Sequence, residues 1–132
     1  MRVMLDTNTC IFIINKNAAV RSRYIAEYDS GIAVSAVTEA ELWFGVENSA
    51  HPSKNAETLL AFLATVEVLP FDTLAAIEYG RVRSKLKRAG TPVGERDTLI
   101  ASHAKSLGLT LVTNNSSEFH RVEGLSIEDW MA

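Results

Sequence analysis

Short apolar runs alternate along the chain with longer segments that have the length and polarity of helices. Runs of this kind predict short buried strands. Strands that are apolar on both faces need cover on both faces, so the alternation favours a parallel sheet between two layers of helices. We therefore predict an α/β fold, a three-layer sandwich with a central, mainly parallel four- to five-stranded sheet. The predicted strands are residues 3–5, 32–35, 66–70 and 109–112, with a short fifth near Val122 or Ile127.

Helix start and stop signals separate these strands. Asp72 or Thr73 can cap a long helix that Gly90 stops, and Thr7 or Asn8 can cap the first helix. No repeat or linker interrupts the pattern, and 132 residues suit one domain, so we expect a single domain over residues 1–132. The predicted helical segments are residues 9–15, 18–29, 37–48, 52–64, 73–89 and 95–107.

Composition excludes several classes of protein. The single cysteine, Cys10, rules out an intrachain disulfide framework and a cysteine-rich zinc site. The net charge of −3 does not by itself indicate a nucleic-acid binder. No apolar run is long enough to span a bilayer, and Asp6 interrupts any signal-peptide core, so we expect a cytoplasmic protein.

Polar residues follow two of the predicted strands at one edge of the sheet. Asp6 comes directly after the first strand, and Thr113 to Asn115 follow the fourth. Ligands of an open parallel sheet bind beyond the carboxyl ends of its strands, so these residues would be neighbours if both strands are central. The alternative for Asp6 is a turn or cap residue beside Thr7 and Asn8.

A second acid heads the apolar stripe of a predicted helix. Asp97, Ile100, Ala101 and Ala104 fall at i, i+3, i+4 and i+7. A buried, unpaired carboxylate is costly, and a cation is a usual relief. The alternative is an acid in the first helical turn, where the helix dipole favours negative charge.

The helix after the second strand supplies two further candidate acids. Glu41 shares a helical stripe with Phe44, and Glu39 shares another with Trp43. Helical spacing therefore does not choose between the two glutamates.

These acids suggest a hard-metal site. The site would combine Asp6, Asp97 and one of the two glutamates with Asn115 or Glu118. Oxygen ligands without His or Cys suit Mg²⁺ or Mn²⁺, and Mg²⁺ held by few carboxylates commonly meets a phosphate. Metal-assisted hydrolysis of a phosphodiester follows, because a bound ion lowers the pKa of an attacking water.

Basic residues concentrate in one helix. Five of the 13 Lys and Arg residues lie within positions 81–88. Arg81, Lys85 and Arg88 stand at i, i+4 and i+7, so one ridge could contact a phosphate backbone, and Arg96 is next to Asp97. The alternative is a solvated helix face.

Other catalytic templates are missing from the sequence. It contains no Gly-rich phosphate loop, no His-Glu-x-x-His and no Gly-x-Ser-x-Gly. The three histidines show no ligand spacing, and we expect His103 to be a surface residue. Cys10 lies among apolar residues and is expected to pack in the core.

Four segments, in order and over nearly the whole chain, carry a recognisable set of motifs. They are Asp-Thr-Asn after the first strand, Glu-Leu-x-x-Gly in a helix, an acid at Asp97, and Thr-Asn-Asn after the fourth strand. On these segments the sequence resembles the PIN-domain ribonucleases, and among them the VapC toxins of bacterial toxin–antitoxin pairs. The segments are residues 4–8, 34–45, 92–101 and 111–119.

The resemblance implies a PIN-like sandwich and a set of site residues. It selects Glu41 over Glu39. Many members carry an Asp where this chain has Asn115, and Glu118 is the nearest acid that could take the fourth place. The implied catalytic residues are Asp6, Glu41, Asp97 and Glu118, and the first three of these would bind metal. The implied supporting residues are Thr7, Asn8, Thr113 and Asn115, of which Thr7 and Asn8 would hold Asp6.

The resemblance also implies partners. It implies an endoribonuclease toxin that depends on Mg²⁺ or Mn²⁺ and forms a homodimer. A small DNA-binding antitoxin of the VapB type would inhibit this toxin. Residues 113–122 and 127–130 look most like the enterobacterial branch, whose members cut initiator tRNA in its anticodon region. Apolar residues near the site could line the antitoxin surface or simply belong to the core; they are Ile11, Phe12, Trp43 and Phe44.

Two other functions stay open from the sequence alone. A phosphoacceptor receiver domain also gathers acids and Mg²⁺ at strand ends, but it needs paired acids after its first strand and a late Lys, and no Lys follows Lys105. A degenerate PIN domain that binds RNA or a protein without cutting is the other, and Asn115 favours it.

Overall fold

The structure, a computed structural model, describes residues 1–131 and consists of a parallel sheet between helices. The strands are β1 (Val3–Leu5), β2 (Ile32–Ser35), β3 (Glu67–Leu69), β4 (Thr110–Val112) and β5 (Ile127–Glu128). The helices are α1 (Thr7–Ile14), α2 (Ala18–Glu27), α3 (Ala36–Glu47), α4 (Pro52–Leu63), α5 (Thr73–Ala89), α6 (Glu95–Ser106) and α7 (Ser116–Phe119), with a 3₁₀ turn at Tyr28–Ser30.

The five strands lie in the order β3-β2-β1-β4-β5 and every pairing is parallel. Leu5, at the end of β1, is in register with Val34 of β2 and Val112 of β4. The carboxyl ends of the three central strands therefore meet at one edge. The predicted α/β sandwich is confirmed, and so is a short fifth strand at Ile127; Val122 packs in the core instead.

Two apolar cores cover the two faces of the sheet. Because side chains alternate along a strand, Val3 and Leu5 of β1 pack into one core with residues of α1–α4, whereas Met4 packs into the other with residues of α5 and α6. Cys10 is fully buried in the first core, as predicted.

Local signals set both ends of α5. Asp72 caps α5, and Gly90, at a φ of +70°, ends it in the left-handed region that glycine tolerates. The first helix differs from the prediction. Asp6 itself caps α1, so the expectation that Thr7 or Asn8 would do so is wrong. Asp6 can serve because its backbone is extended and its carboxylate accepts from the third residue beyond it.

The prediction that His103 lies on the surface is also wrong. The residue is 1% exposed, and Nδ1 lies 2.8 Å from Ser35 Oγ at the end of β2. The ring of Phe71 packs edge-on against it at 5.3 Å between centroids. Burial lowers the pKa of the imidazole. The imidazole thus links α6 to the sheet, which a single-helix pattern cannot reveal.

Among residues 1–131, no helix is long and apolar enough to cross a membrane.

Candidate active site

Three carboxylates from separate elements line one small pocket at the carboxyl edge of the sheet. Asp6 follows β1, Glu41 lies on α3, and Asp97 lies in the first turn of α6. The cavity has a volume of about 140 Å³. Its other lining residues are Thr7, Asn8, Asn115 and Phe119.

Asp6 is the most buried of the three acids, with 4% exposure. Its Oδ1 accepts a 2.8 Å hydrogen bond from the amide of Thr9, and the hydroxyl of Thr113 also favours its charged form. Burial nevertheless raises the pKa of Asp6, and repulsion from Glu41 adds to the effect. Asp6 therefore both caps α1 and presents a destabilised charge to the pocket.

The position of Glu41 in the pocket separates it from Glu39. Thr7 Oγ1 donates a 2.7 Å hydrogen bond to one carboxylate oxygen of Glu41, and Arg96 lies 3.4 Å from the other. Glu39 instead accepts a 3.0 Å bond from the indole of Trp43 and does not line the pocket. The tertiary structure thus makes the choice that helical spacing left open.

Asp97 heads the buried stripe that the sequence predicted. Ile100, Ala101 and Ala104 are fully buried, while Asp97 is half-buried at the pocket. Burial raises the pKa of Asp97 to about 6, and the neighbouring carboxylates add to the increase. These neighbours are Glu118, Asp6 and Glu41, with Arg96 acting in the opposite direction.

Asn115, rather than Glu118, lines the pocket. Glu118 accepts a 2.9 Å bond from the amide of Gly94 and a 2.6 Å bond from Asn115 Nδ2. These bonds lower the pKa of Glu118. With its amide nitrogen bound to Glu118, Asn115 has its carbonyl oxygen left as an acceptor. The two residues therefore form a unit in which the acid holds the amide.

The supporting residues have different roles from those expected. Thr7 holds Glu41, not Asp6, whereas Asn8 lines the pocket and Thr113 supports Asp6. Thr9 was missed by the sequence analysis, although its position three residues after Asp6 is the spacing of a helix cap.

The donor set fits a hard divalent cation. Three carboxylates and an amide oxygen face a small polar pocket, and two of the acids carry a raised pKa that nearby positive charge would offset. Within residues 1–131, no three Asp, Glu, His or Cys side chains already have the close spacing of a metal site. The acids thus line an open pocket, and Glu41 is engaged by Arg96.

The four candidate RNA-binding residues fall in two places. Arg81, Lys85 and Arg88 line a cleft beside α5, as their helical spacing predicted. Arg96 lies apart from them, at the acidic pocket, where it pairs with Glu41.

Comparison with known proteins identifies the family to which this fold and pocket belong. The sequence profile of the PIN domain matches residues 3–125. The chain belongs to the PIN-domain family. This membership confirms the resemblance stated above and excludes a receiver domain. Nucleases of the PIN family are generally dependent on a divalent metal, in agreement with the donor set of the pocket.

Curated relatives resemble this PIN domain over nearly their whole length. The tRNA(fMet)-specific endonuclease VapC of Salmonella typhimurium is 47% identical over 131 residues, covering 98% of each chain. The protein of the same name from Shigella flexneri is 46% identical over the same share. The crystal structure of DNA-bound VapBC from Salmonella typhimurium contains a chain that superposes with a TM-score of 0.94 at 47% identity, covering 98% of both chains.

Proposed function

We propose that this PIN domain is the toxin of a VapBC-type pair and that it hydrolyses a phosphodiester bond in initiator tRNA, within the anticodon region. The names of relatives that are 46–47% identical over nearly the full chain support the substrate. The single observation that carries the chemistry is the convergence of Asp6, Glu41 and Asp97 on one pocket. We take residues 1–132 to act as one domain, in the cytoplasm, where tRNA is found.

Mg²⁺ or Mn²⁺ is the proposed cofactor, because the pocket offers only oxygen donors. Asp6 and Asp97 would hold it. When bound, the ion lowers the pKa of an attacking water and offsets negative charge on the phosphate.

Each side chain then has a separate task. Thr9 and Thr113 hold the Asp6 carboxylate toward the pocket. Glu41, held by Thr7, orients the attacking water and accepts its proton. Glu118 holds Asn115, whose carbonyl oxygen completes the polar wall. We therefore assign Glu118 to positioning and Asn115 to the pocket itself.

An apolar groove beside the pocket is the proposed antitoxin site. It lies between α1, α3 and α4, has a volume of about 300 Å³ and includes Ile11 and Leu59. Glu41 lines both this groove and the pocket, so a segment bound in the groove would reach the acids. A basic antitoxin side chain placed there would pair with them and block the site. Phe44, 68% exposed on α3, extends the apolar surface, whereas Phe12 and Trp43 pack against the core.

The deciding experiment incubates purified protein with total tRNA in Mg²⁺, in Mn²⁺ and in a chelator, and maps the new ends. We expect cleavage of initiator tRNA in its anticodon region, lost in the chelator and in Asp6→Asn. Binding without metal-dependent cleavage by the natural sequence would instead identify a degenerate PIN domain.

The partner proposal has its own test. Ile11→Asn removes an apolar side chain from the groove without placing a cation beside Glu41. We expect this variant to bind the antitoxin more weakly and to escape inhibition by it. It should still form a homodimer and still cleave tRNA. Unchanged inhibition would place the antitoxin elsewhere.

A further inference from the structure

A second cleft lies beside α5 and the segment that follows α7. Two adjoining cavities of about 460 and 530 Å³ share Val82, Lys85, Arg88 and Lys105, and together they form what we call the α5 cleft. Its walls are the C-terminal half of α5, Lys105 of α6 and the segment after α7.

The α5 cleft carries a local excess of positive charge in a chain whose net charge is −3. Two acids partly offset it. Glu78 lies 3.6 Å from Arg81 and 3.4 Å from Lys105, and Glu123 lies 3.3 Å from Lys85. The five basic residues of the cleft are Arg81, Lys85, Arg88, Lys105 and Arg121.

Two of these cations form no salt bridge among residues 1–131, although the charge of Arg121 acts on Glu118. Arg88 donates to the hydroxyl of Ser84 at 3.0 Å, and Arg121 donates to the carbonyl of Pro92 at 2.8 Å. Lys85 and Glu123 are 60% and 81% exposed, so their pair is weak and easily exchanged. The cleft can therefore offer charge to an external anion at little cost.

The α5 cleft and the acidic pocket are lined in part by neighbouring residues of the chain. Asn115 and Phe119 line the pocket, while Arg121 and Val122 line the cleft. Phe119 and Val122 are three residues apart, so their Cα atoms are within about 11 Å. A strand of nucleic acid that leaves the pocket over α7 would meet the cleft within a few nucleotides.

We propose that the α5 cleft binds the phosphate backbone of the RNA substrate beside the bond that is cut. This proposal rests on the ribonuclease function proposed above. An anionic substrate gains nothing from the acids of the pocket before a cation is bound, so affinity must come from elsewhere on the surface. The α5 cleft provides fixed positive charge close to the pocket, and phosphate contacts position a nucleic acid without reading its bases.

The test removes two cleft charges and measures binding. Lys85→Gln with Arg88→Gln is compared with a matched control, Arg21→Gln with Lys54→Gln, which removes the same charge from exposed positions on α2 and α4. Affinity for initiator tRNA is measured in an Asp6→Asn background at several salt concentrations. We expect the cleft variant to bind about tenfold more weakly, and its dependence of log K on log salt to flatten by about 1.4, the value for two lost single-strand phosphate contacts.

Cleavage by the same variants, with Asp6 restored, separates binding from chemistry. The cleft variant should have a higher KM and an unchanged kcat, and the control should match the natural sequence. If the natural sequence does not cleave tRNA, the proposed function fails. If it cleaves and the cleft variant binds like the control, only the α5 cleft proposal is overturned. If the cleft variant loses affinity for the antitoxin but binds RNA as tightly as the natural sequence does, the α5 cleft proposal is also overturned. If the double variant has a lowered thermal midpoint, the single variant Arg88→Gln, which leaves the Lys85–Glu123 pair in place, replaces it in both measurements.

Discussion

Two regions of the molecule use carboxylates in opposite ways. In the ion-pair cluster near the N-terminus, Arg2 lies 2.5 Å from both Glu27 and Glu128, and Arg23 lies 3.1 Å from Glu128. Hydrogen bonds from Arg2 lower the pKa of Glu128 to about 2. In the acidic pocket, burial raises the pKa of Asp97 to about 6.

The difference shows what each region is built to do. The ion-pair cluster joins the residue before β1 to α2 and β5 with charges that the chain itself supplies. The acidic pocket concentrates Asp6, Glu41 and Asp97 with Arg96 as a partial and 70% exposed counter-charge. Crowded negative charge at this edge is unfavourable for the fold without a bound cation, and such a cost is typical of functional sites.

The largest expected effect comes from removing the most buried acid of the pocket. Asp6→Asn should lower the cleavage rate by about 10³-fold or more, since several kcal/mol of metal-based stabilisation is lost. The cap hydrogen bond from Thr9 can still be made by the amide oxygen, so the thermal midpoint should hold. Full cleavage by this variant, free of contaminating nuclease, would contradict the assignment.

A matched pair on α3 sharpens the comparison. Glu41→Gln should lower kcat by about 100-fold because a general base is lost, whereas Glu39→Gln, which only loosens a bond to Trp43, should leave kcat unchanged. Single-turnover cleavage measures both. Equal effects of the two substitutions would mean that the pocket does not define the active site.

Cation binding should offset the loss of folding stability that the crowded acids of the pocket cause. Without added metal, Asp97→Asn should raise the free energy of unfolding at neutral pH by about 1 kcal/mol, since it removes a half-buried charge surrounded by acids. With Mg²⁺ at 100 times its Kd, the natural sequence should gain about 2.7 kcal/mol. Denaturant titrations with and without Mg²⁺ check both values, and an equal gain in Asp97→Asn would place the cation elsewhere.

The smallest effect is expected in the ion-pair cluster. Glu128→Gln should cost about 1 kcal/mol or less, because Arg2 is 46% exposed. The folded-state pKa of Glu128 is lowered, so its contribution is present above its ordinary value of 4.5 and is lost as the pH falls toward 2. Unfolding curves between pH 5 and pH 2 should therefore converge for the variant and the natural sequence, with cleavage unaffected at neutral pH.

Much of the fold was predictable because its signals are local. Apolar strand runs, the cap at Asp72 and the stop at Gly90 lie within a few residues of the features they determine. The cap of α1 is local as well. A cap role for Asp6 was the alternative to a pocket role, and the structure shows that the residue has both.

The candidate site was only partly predictable. Asp97 could be found from its place at the head of a buried stripe. Glu41 could not be distinguished from Glu39 by spacing, because the helix is apolar nearly all round and only the position of α1 shows which glutamate meets Thr7. His103 was misplaced because Phe71 and Ser35, which cover it, come from distant parts of the chain.

The amino-acid sequence by itself determined the order of strands and helices along the chain, the two apolar faces of the sheet and the acids available to a metal. These features depend on short-range patterns of polarity. Only the tertiary structure decided which acids share a pocket, that Glu118 holds Asn115, and that the basic residues of α5 meet Lys105 and Arg121 in one cleft. Those groupings depend on the packing of remote elements, and the energy of a charge depends on the neighbours and the burial that this packing provides.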